Sequence, residues 1–283
     1  MVKNHNENIA QYTTVKIGGK ADNLYIPENE NELIELVAEL EHNHHKYLII
    51  SGGSNLLIND KKTFENVILM KNVNTDIIPL GDGMFFCGAS VRIQKFIQYA
   101  KKEGYGGIEF LYSLPAMMGG IVCMNAGRGK ESNISIADFI VEVQCIIDGK
   151  KMSFSRDACD FSYRKSVFQF NNGIITGVLV KLNPQKEDYT QAKIQERLEL
   201  CKRVQDHSGS TFGSVFSNFN PVIMKICQRL PFQKGIRWSP VRGNWFINDG
   251  TGTFSDAKKL IDFCVFLHHI TGKKIETEVK IWE

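Results

Sequence analysis

Several signatures of phosphate, metal and hydrolase chemistry are missing from this chain. It has no Gly-x-x-x-x-Gly-Lys-Ser/Thr stretch and no Gly-x-Gly-x-x-Gly, which excludes a P-loop and the Rossmann dinucleotide fingerprint. It has no Gly-x-Ser-x-Gly elbow, so a hydrolase nucleophile of that type is excluded as well. Its seven cysteines, at 87, 123, 145, 159, 201, 227 and 264, are odd in number and include no Cys-x-x-Cys pair. No His-Glu-x-x-His is present, and His42, His44 and His45 end what reads as an exposed helix, so no metal site is expected. No apolar run reaches the ~18 residues of a membrane span, and the opening Met1-Val-Lys-Asn-His is polar. A cytoplasmic protein with free thiols is the simplest reading. An excess of one charge is also lacking. The 34 basic and 31 acidic residues leave +3, which points to neither nucleic acid nor an anionic membrane. A local basic pocket for an anionic ligand remains compatible with that balance.

What is present is an ordinary globular composition, 43% hydrophobic and 23% charged, over 283 residues, enough for roughly two domains. Residues 30–46 open on acids and place Leu33, Ile34, Leu36, Val37 and Leu40 at helical spacing, and a short strand at 47–50 follows. A second apolar stretch lies at 67–70. Residues 91–102 read as a helix with Val91, Ile93, Phe96, Ile97 and Ala100 on one face and Gly104 as its stop. From 134 to 182 the pattern is strand-like, with a hairpin turn at Asp148-Gly149. Residues 183–188 read as a linker, and 191–206 as a charged helix with Ile194, Leu198 and Cys201 inward. A last helix, capped by Ser255, runs to about Ile270 before Gly272. The organisation is a larger α+β half up to about 185 and a smaller one after it.

Five stretches carry candidate chemistry. Ser51-Gly-Gly-Ser-Asn-Leu56 leaves a strand and forms either an anion-binding nest of backbone N–H groups or an ordinary tight turn. In 106–129, Pro115 sets a turn, and Gly119-Gly120 and Gly127-Arg-Gly129 bracket an apolar piece containing Asn125. Two such loops more than 50 residues apart suit a long, flat ligand with a phosphate part and a ring part, such as a dinucleotide. Tyr163 and Arg164 sit at strand-like spacing, where an arginine either anchors a carboxylate or makes a structural ion pair. Gly213 permits close approach of the backbone to a ligand, and Ser214 after it either delivers a proton or satisfies a local turn. Glu276 and Glu278, read as a strand, point to one face and are either functional or simply solvated.

Taken together, the segments resemble the UDP-N-acetylenolpyruvoylglucosamine reductase family over nearly the whole chain. Thr13-Thr-Val-Lys-Ile-Gly-Gly19 with Ala21-Asp22 is similar to its opening, and Ser51-Gly-Gly-Ser-Asn-Leu-Leu57 to its first flavin loop. Gly107-Ile-Glu-Phe-Leu111 and Met124-Asn-Ala-Gly127 resemble its second flavin loop. Cys159-x-Phe-x-Tyr-Arg-x-Ser166, Gly213-Ser-Val-Phe216 with Asn218, and Glu278-Val resemble its three catalytic segments. The resemblance implies an α+β chain with the two-subdomain FAD-binding fold of the vanillyl-alcohol-oxidase/PCMH type and a C-terminal α+β substrate domain. On this chain those become 1–70, 71–185 and 186–283. It implies FAD and NADPH as cofactors and a UDP-sugar as substrate, in a monomer without nucleic-acid partners or membrane insertion. The implied reaction reduces UDP-N-acetylglucosamine enolpyruvate to UDP-N-acetylmuramate for peptidoglycan, a cytoplasmic task of cell-wall building, cell shape and division. The implied catalytic residues are Arg164, Ser214 and Glu278. Tyr163, Asn218 and Arg242 would bind substrate. The flavin would contact Gly52, Gly53, Ser54, Asn55, Leu56, Ser113, Gly119, Gly120, Asn125, Ala126 and Gly127.

Some positions depart from the family pattern. In Ser113-Leu-Pro-Ala-Met-Met-Gly-Gly120, Ala116 stands for a glycine and Met117 for a hydroxyl residue. Ser217 stands for a substrate-binding lysine, Phe219 for proline and Arg242 for histidine. Two other readings therefore stand beside the reductase. One is an oxidoreductase of the same scaffold acting on a different sugar nucleotide or carboxylate; the other is a non-catalytic sugar-nucleotide-binding paralogue.

Overall fold

The computed structural model describes residues 1–129, 132–231 and 233–283. In chain order its first strands are β1 (Val2–Asn8), β2 (Lys20–Ile26), β3 (Leu48–Ile50), β4 (Leu56–Ile58) and β5 (Thr63–Leu69), with helix α1 (Glu30–His42) between β2 and β3. Next come β6 (Ile77–Gly81), β7 (Met84–Gly88), α2 (Ile93–Lys102), β8 (Tyr105–Gly106) and α3 (Met118–Cys123). They are followed by β9 (Ile140–Ile147), β10 (Lys150–Ser155), β11 (Ile174–Lys181), β12 (Asn183–Pro184) and α4 (Glu187–Val204). The last part holds β13 (Phe216–Asn218), α5 (Pro221–Gln228), β14 (Ile236–Trp238), β15 (Phe246–Asn248), α6 (Phe254–Ile270), β16 (Glu276–Thr277) and β17 (Lys280–Trp282).

The chain folds into two compact units, each built from several segments. The first comprises Met1–Asn4, Leu24–Gly52 and Asn66–Leu200, and the second His5–Asn23, Gly53–Glu65 and Cys201–Glu283. One of the passages between them thus falls inside Ser51-Gly-Gly-Ser-Asn-Leu56, between Gly52 and Gly53.

In the first unit, β10-β9-β11-β7-β6 form a sheet in that order. The β9–β10 hairpin turns at Asp148 and Gly149, both at positive φ (50° and 68°), which matches the twist of the flanking strands. The amphipathic helix α2 lays Ile93, Phe96, Ile97 and Ala100 into a core shared with Phe85, Val143, Val178 and Ile194. A smaller core joins Leu33, Leu36, Val37 and Leu40 of α1 to Ile68, Ile146 and Ile174. Strand β3 pairs in parallel with β5, Leu48 beside Val67, and the glycine loop leaves its carboxyl end just after the buried Ile50.

The second unit has its own core, where Val15, Leu57, Phe216, Met224, Trp238, Phe246, Leu260 and Cys264 meet. Strand β4, the direct continuation of the glycine loop, pairs in parallel with β17 near the end of the chain, Leu56 beside Lys280. β13 pairs with β16, and β14 with β15.

Three local expectations are corrected. Tyr163 and Arg164 do not lie in a strand; they are the two residues of a tight turn, closed by Ser162 and Lys165, which exchange both backbone hydrogen bonds at 3.1 Å. Helix α6 is capped by Thr253, not Ser255: the Thr253 side chain accepts from the Asp256 N–H while Asp256 reaches back to the Thr253 N–H. The tail is not one strand, since β16 ends at Thr277 and β17 starts at Lys280, with Glu278 and the buried Val279 between them.

Candidate active site

In the first unit the second glycine loop and the Arg164 turn are stapled together. Asn125 is buried at φ 40°; its Nδ2 donates to the Ser162 carbonyl (2.8 Å) and its Oδ1 accepts from the Ala137 N–H (3.3 Å). Ser166 Oγ and Gln169 Nε2 both donate to the Cys123 carbonyl, at 2.7 and 2.8 Å, and Gln169 also donates to the Arg164 carbonyl (2.9 Å). Arg164 itself has φ 61°, a conformation that costs a non-glycine residue about 1–3 kcal/mol and is held only where neighbours over-determine it. Its Nη2 donates to the Gly127 carbonyl (2.9 Å), and its guanidinium lies 5.2 Å from the ring centre of the exposed Tyr163. An arginine fixed this way presents a directed, permanent charge.

The backbone of 116–119 runs along 89–93, with Met118 N–H donating to Val91 and Gly119 N–H to Ala89, both at 2.9 Å. Ser113 Oγ accepts from Arg197 Nε of α4 (2.9 Å), and Gln94 Nε2 donates to the Tyr112 and Leu114 carbonyls. Gly52 passes close to this loop: a Cβ there would stand 3.1 Å from Pro115 O and 3.2 Å from Ala116 Cα. The Ser51 hydroxyl is buried without a hydrogen-bond partner among the described residues, and a Cβ on Gly120 would stand 3.7 Å from it. Burial holds the thiols of Cys145 and Cys159 up at about 11, so neither is a thiolate at neutral pH.

In the second unit the Ser214 and Glu278 segments are joined directly. The buried Val215 offers its carbonyl to the N–H groups of Glu278 (2.8 Å) and Val279 (3.3 Å). Ser214 pairs with Trp245 as an isolated antiparallel bridge. Before it, Gly213 has φ 85°, and no atom lies within 4 Å of where its Cβ would be. Asn55 ties the first glycine loop to the same tail, donating through Nδ2 to the Glu278 carbonyl (3.1 Å) and accepting at its own carbonyl from Lys280 N–H (3.0 Å). Asn218 ends β13 opposite Glu276, and Glu276 is exposed. Arg242 is exposed in a turn that carries a buried anchor: Ser239 Oγ accepts from the N–H groups of Val241 (3.1 Å) and Arg242 (2.9 Å) and donates to Asp206 Oδ2 (2.8 Å). Burial alone would raise the Asp206 carboxyl, but donation from the Ser208 hydroxyl and N–H and from Ser239, with Arg237 nearby, holds it below the usual carboxylate range.

The first unit thus holds a fixed guanidinium, and the second, taken by itself, a hydroxyl beside a carboxylate-bearing segment. Residues 21–150 match the FAD binding domain family. The chain is 30% identical over 285 aligned positions to the UDP-N-acetylenolpyruvoylglucosamine reductase of Geobacter metallireducens, covering 97% of this chain and 92% of that one. The chain belongs to the UDP-N-acetylenolpyruvoylglucosamine reductase family. A Bacillus pumilus member is 29% identical over 265 positions, covering 91% of this chain and 86% of its own. The crystal structure of the Thermus caldophilus UDP-N-acetylenolpyruvylglucosamine reductase shares the fold over 100% of this chain and 98% of its own, with TM-score 0.77 and 24% identity.

The first unit's residues fit the FAD that this family's binding domain takes. The orphaned Ser51 hydroxyl needs an acceptor such as a pyrophosphate oxygen, and the glycines at 52 and 120 keep the backbone bare around it. Among the described residues no group of three or more His, Cys, Asp or Glu side chains is gathered for a metal ion, and no helix is long and apolar enough to cross a membrane. Sequence reasoning missed Asn244, Ser239 and Asp206, which support the Ser214 and Arg242 segments. Asp206 and Ser239 are 33 residues apart, and no local pattern joins them.

Proposed function

We propose that this chain reduces UDP-N-acetylglucosamine enolpyruvate to UDP-N-acetylmuramate with NADPH, serving peptidoglycan precursor synthesis in the cytoplasm. Its membership of the family, at 30% identity over 97% of the chain, is the observation that carries this reading. When bound, FAD would supply the two-electron chemistry that links NADPH to reduction of the enolpyruvyl group at C3. The residues that would hold the cofactor are Gly52, Gly53, Ser54, Asn55 and Leu56, with Ser113, Gly119, Gly120, Asn125, Ala126 and Gly127.

Hydride at C3 leaves negative charge on C2 and its carboxylate. Arg164, pinned to the Gly127 carbonyl, offsets that charge most strongly as it develops. Ser214 Oγ gives its proton to C2, completing the lactyl ether. A hydroxyl is a weak acid in water, so the step depends on Ser214 being held beside the carbanion, and the Glu278 segment bonded to Val215 supports it. Tyr163, Asn218 and Arg242 take the sugar nucleotide, with Arg242 supplying the positive charge that Ser217 lacks.

Anaerobic stopped flow separates the two half-reactions. Ser214→Ala is expected to leave NADPH reduction of the bound flavin intact and to slow reoxidation by the enolpyruvyl substrate by about 10²–10⁴-fold. Equal slowing of both halves would remove Ser214 from the proton-donor role. Flavin that NADPH reduces but this substrate fails to reoxidise, in the unmodified protein, would favour a different sugar nucleotide; the serine at 217 is the feature behind that second reading. A protein that stays colourless with excess FAD would sink both.

A further inference from the structure

We infer that Asn244 is a positioning residue for Ser214. The inference rests on the proton-donor reading of Ser214 and concerns a side chain that touches no reacting atom. Asn244 is bonded to the backbone on the downstream side of Ser214 through both its main chain and its amide. Its carbonyl accepts from Val215 N–H (2.8 Å), its Oδ1 accepts from Phe216 N–H (3.0 Å), and its Nδ2 donates to the Phe216 carbonyl (2.7 Å). The amide side chain therefore satisfies both polar backbone groups of Phe216, as a neighbouring strand would.

Two observations make this a lever on Ser214 and not merely a turn contact. Upstream, Gly213 is at φ 85° with no atom within 4 Å of where its Cβ would be, so the residue next to the serine is not itself held by packing, and the nearest upstream anchor is the buried Phe212. Downstream, Val215 and Phe216 are buried, and the Val215 carbonyl is the one bonded to Glu278 N–H. Ser214 is thus a half-exposed residue between Gly213 and the clamped, buried Val215–Phe216 pair, and Asn244 is the side chain of the clamp. The remainder of the clamp is main chain: Trp245 pairs with Ser214, Trp245 N–H donates to the Arg242 carbonyl (2.7 Å), and Ser239 N–H donates to the Trp245 carbonyl (2.9 Å). Removing the amide leaves the buried Phe216 N–H and carbonyl unmatched, and the segment then shifts to recover partners. Misplacement of a reacting group by about 1 Å costs on the order of 10²-fold.

The test uses the FAD-loaded protein, NADPH and UDP-N-acetylglucosamine enolpyruvate in the two-step stopped-flow assay. Asn244→Ala is expected to retain full flavin occupancy and normal reduction by NADPH, and to slow reoxidation by about 10- to 100-fold with little change in the substrate concentration giving half-saturation. The solvent deuterium isotope effect on reoxidation rises, because proton delivery becomes the slow step. Asn244→Asp keeps the acceptor for Phe216 N–H but faces the Phe216 carbonyl with a carboxylate; it slows the same step and guards against a misfolded alanine variant. In the Ser214→Ala background, Asn244→Ala adds less than about threefold, because the group it positions is gone. Reoxidation within twofold of the unmodified rate in both Asn244 variants overturns the inference, as does a full multiplicative loss in the double variant. If Ser214→Ala alone fails to slow reoxidation, the proton-donor reading is what fails, and the positioning role falls with it.

Discussion

Gly53 lies in the 51–56 loop and Gly119 in the first turn of α3, directly after the 113–117 loop, and the two glycine-bearing stretches keep their shapes by different means. Gly53 sits at φ 61°, where an added Cβ would overlap the Tyr12 carbonyl oxygen and crowd Thr13 Cα at 3.0 Å. The Thr14 N–H donates to its carbonyl (3.0 Å), Asn55 ties the next residues to the tail, and β4 carries the chain on into its pairing with β17. That loop exists because a side chain is absent. The 113–120 loop is shaped from outside, by Gln94 and Arg197 side chains and by the Ala89 and Val91 carbonyls. Bonds of that kind ask little of the loop's own side chains, which is why alanine at 116 and methionine at 117 fit there. The first loop has no such latitude.

Substitutions graded by size can break or sharpen this contrast. Gly53→Ala should be the most damaging, costing more than about 4 kcal/mol in denaturant unfolding, since steric overlap and a left-handed backbone act together. A loss near 1 kcal/mol would mean that the first loop is as tolerant as the second. Asp206→Ala, outside both loops, sets the middle of the scale at about 2–3 kcal/mol, because Ser239 and the 239–242 turn lose a buried, charged acceptor. Its carboxyl is held below the usual range in the folded protein, so the native state binds fewer protons than the unfolded one. The stabilisation is therefore complete above about pH 4 and decays as pH falls through the lowered folded value. Unfolding midpoints of Asp206→Asn should lack that acid-side decline, and a parallel decline in both proteins would exclude Asp206 as its source.

The second loop should show the smallest effects on stability. Gly119→Ala brings a methyl to 3.0 Å from Ala89 Cβ and should cost about 1 kcal/mol. Gly120→Ala meets only Ser51, at 3.7 Å, inside a helix, and should change stability by less than about 0.5 kcal/mol in either direction. Its effect belongs in FAD titrations instead, where a weakened affinity without lost stability marks the cradle beside Ser51. Unchanged FAD affinity would move the pyrophosphate elsewhere.

Much of the fold could be read from local pattern. The α1 and α2 helices follow apolar spacing, and Asp148-Gly149 announces its hairpin. The Thr253 cap was legible too, because Asp256 three residues on completes a capping box, a sign that Ser255 lacks. The Tyr163-Arg164 turn was not legible. Neither residue favours a left-handed backbone, and the turn is held by Asn125, Gln169 and Gly127, which lie far away or act through their side chains. The break at Glu278 was hidden for a similar reason, since the N–H groups of Glu278 and Val279 turn to Val215, over 60 residues earlier in the chain.

By itself the sequence determined the periodic elements and the family, because each depends on residue type at short spacing or on motifs in register, whereas the glycine requirement at 53 comes from the distant Tyr12 carbonyl. Tertiary structure alone decided that the chain passes between its two units inside the Ser51–Leu56 loop, that Arg164 points from a strained turn, and that Asn244 clamps the serine segment. Those features arise when buried backbone groups find hydrogen-bond partners far along the chain, and residue order does not say which distant partner will be in reach.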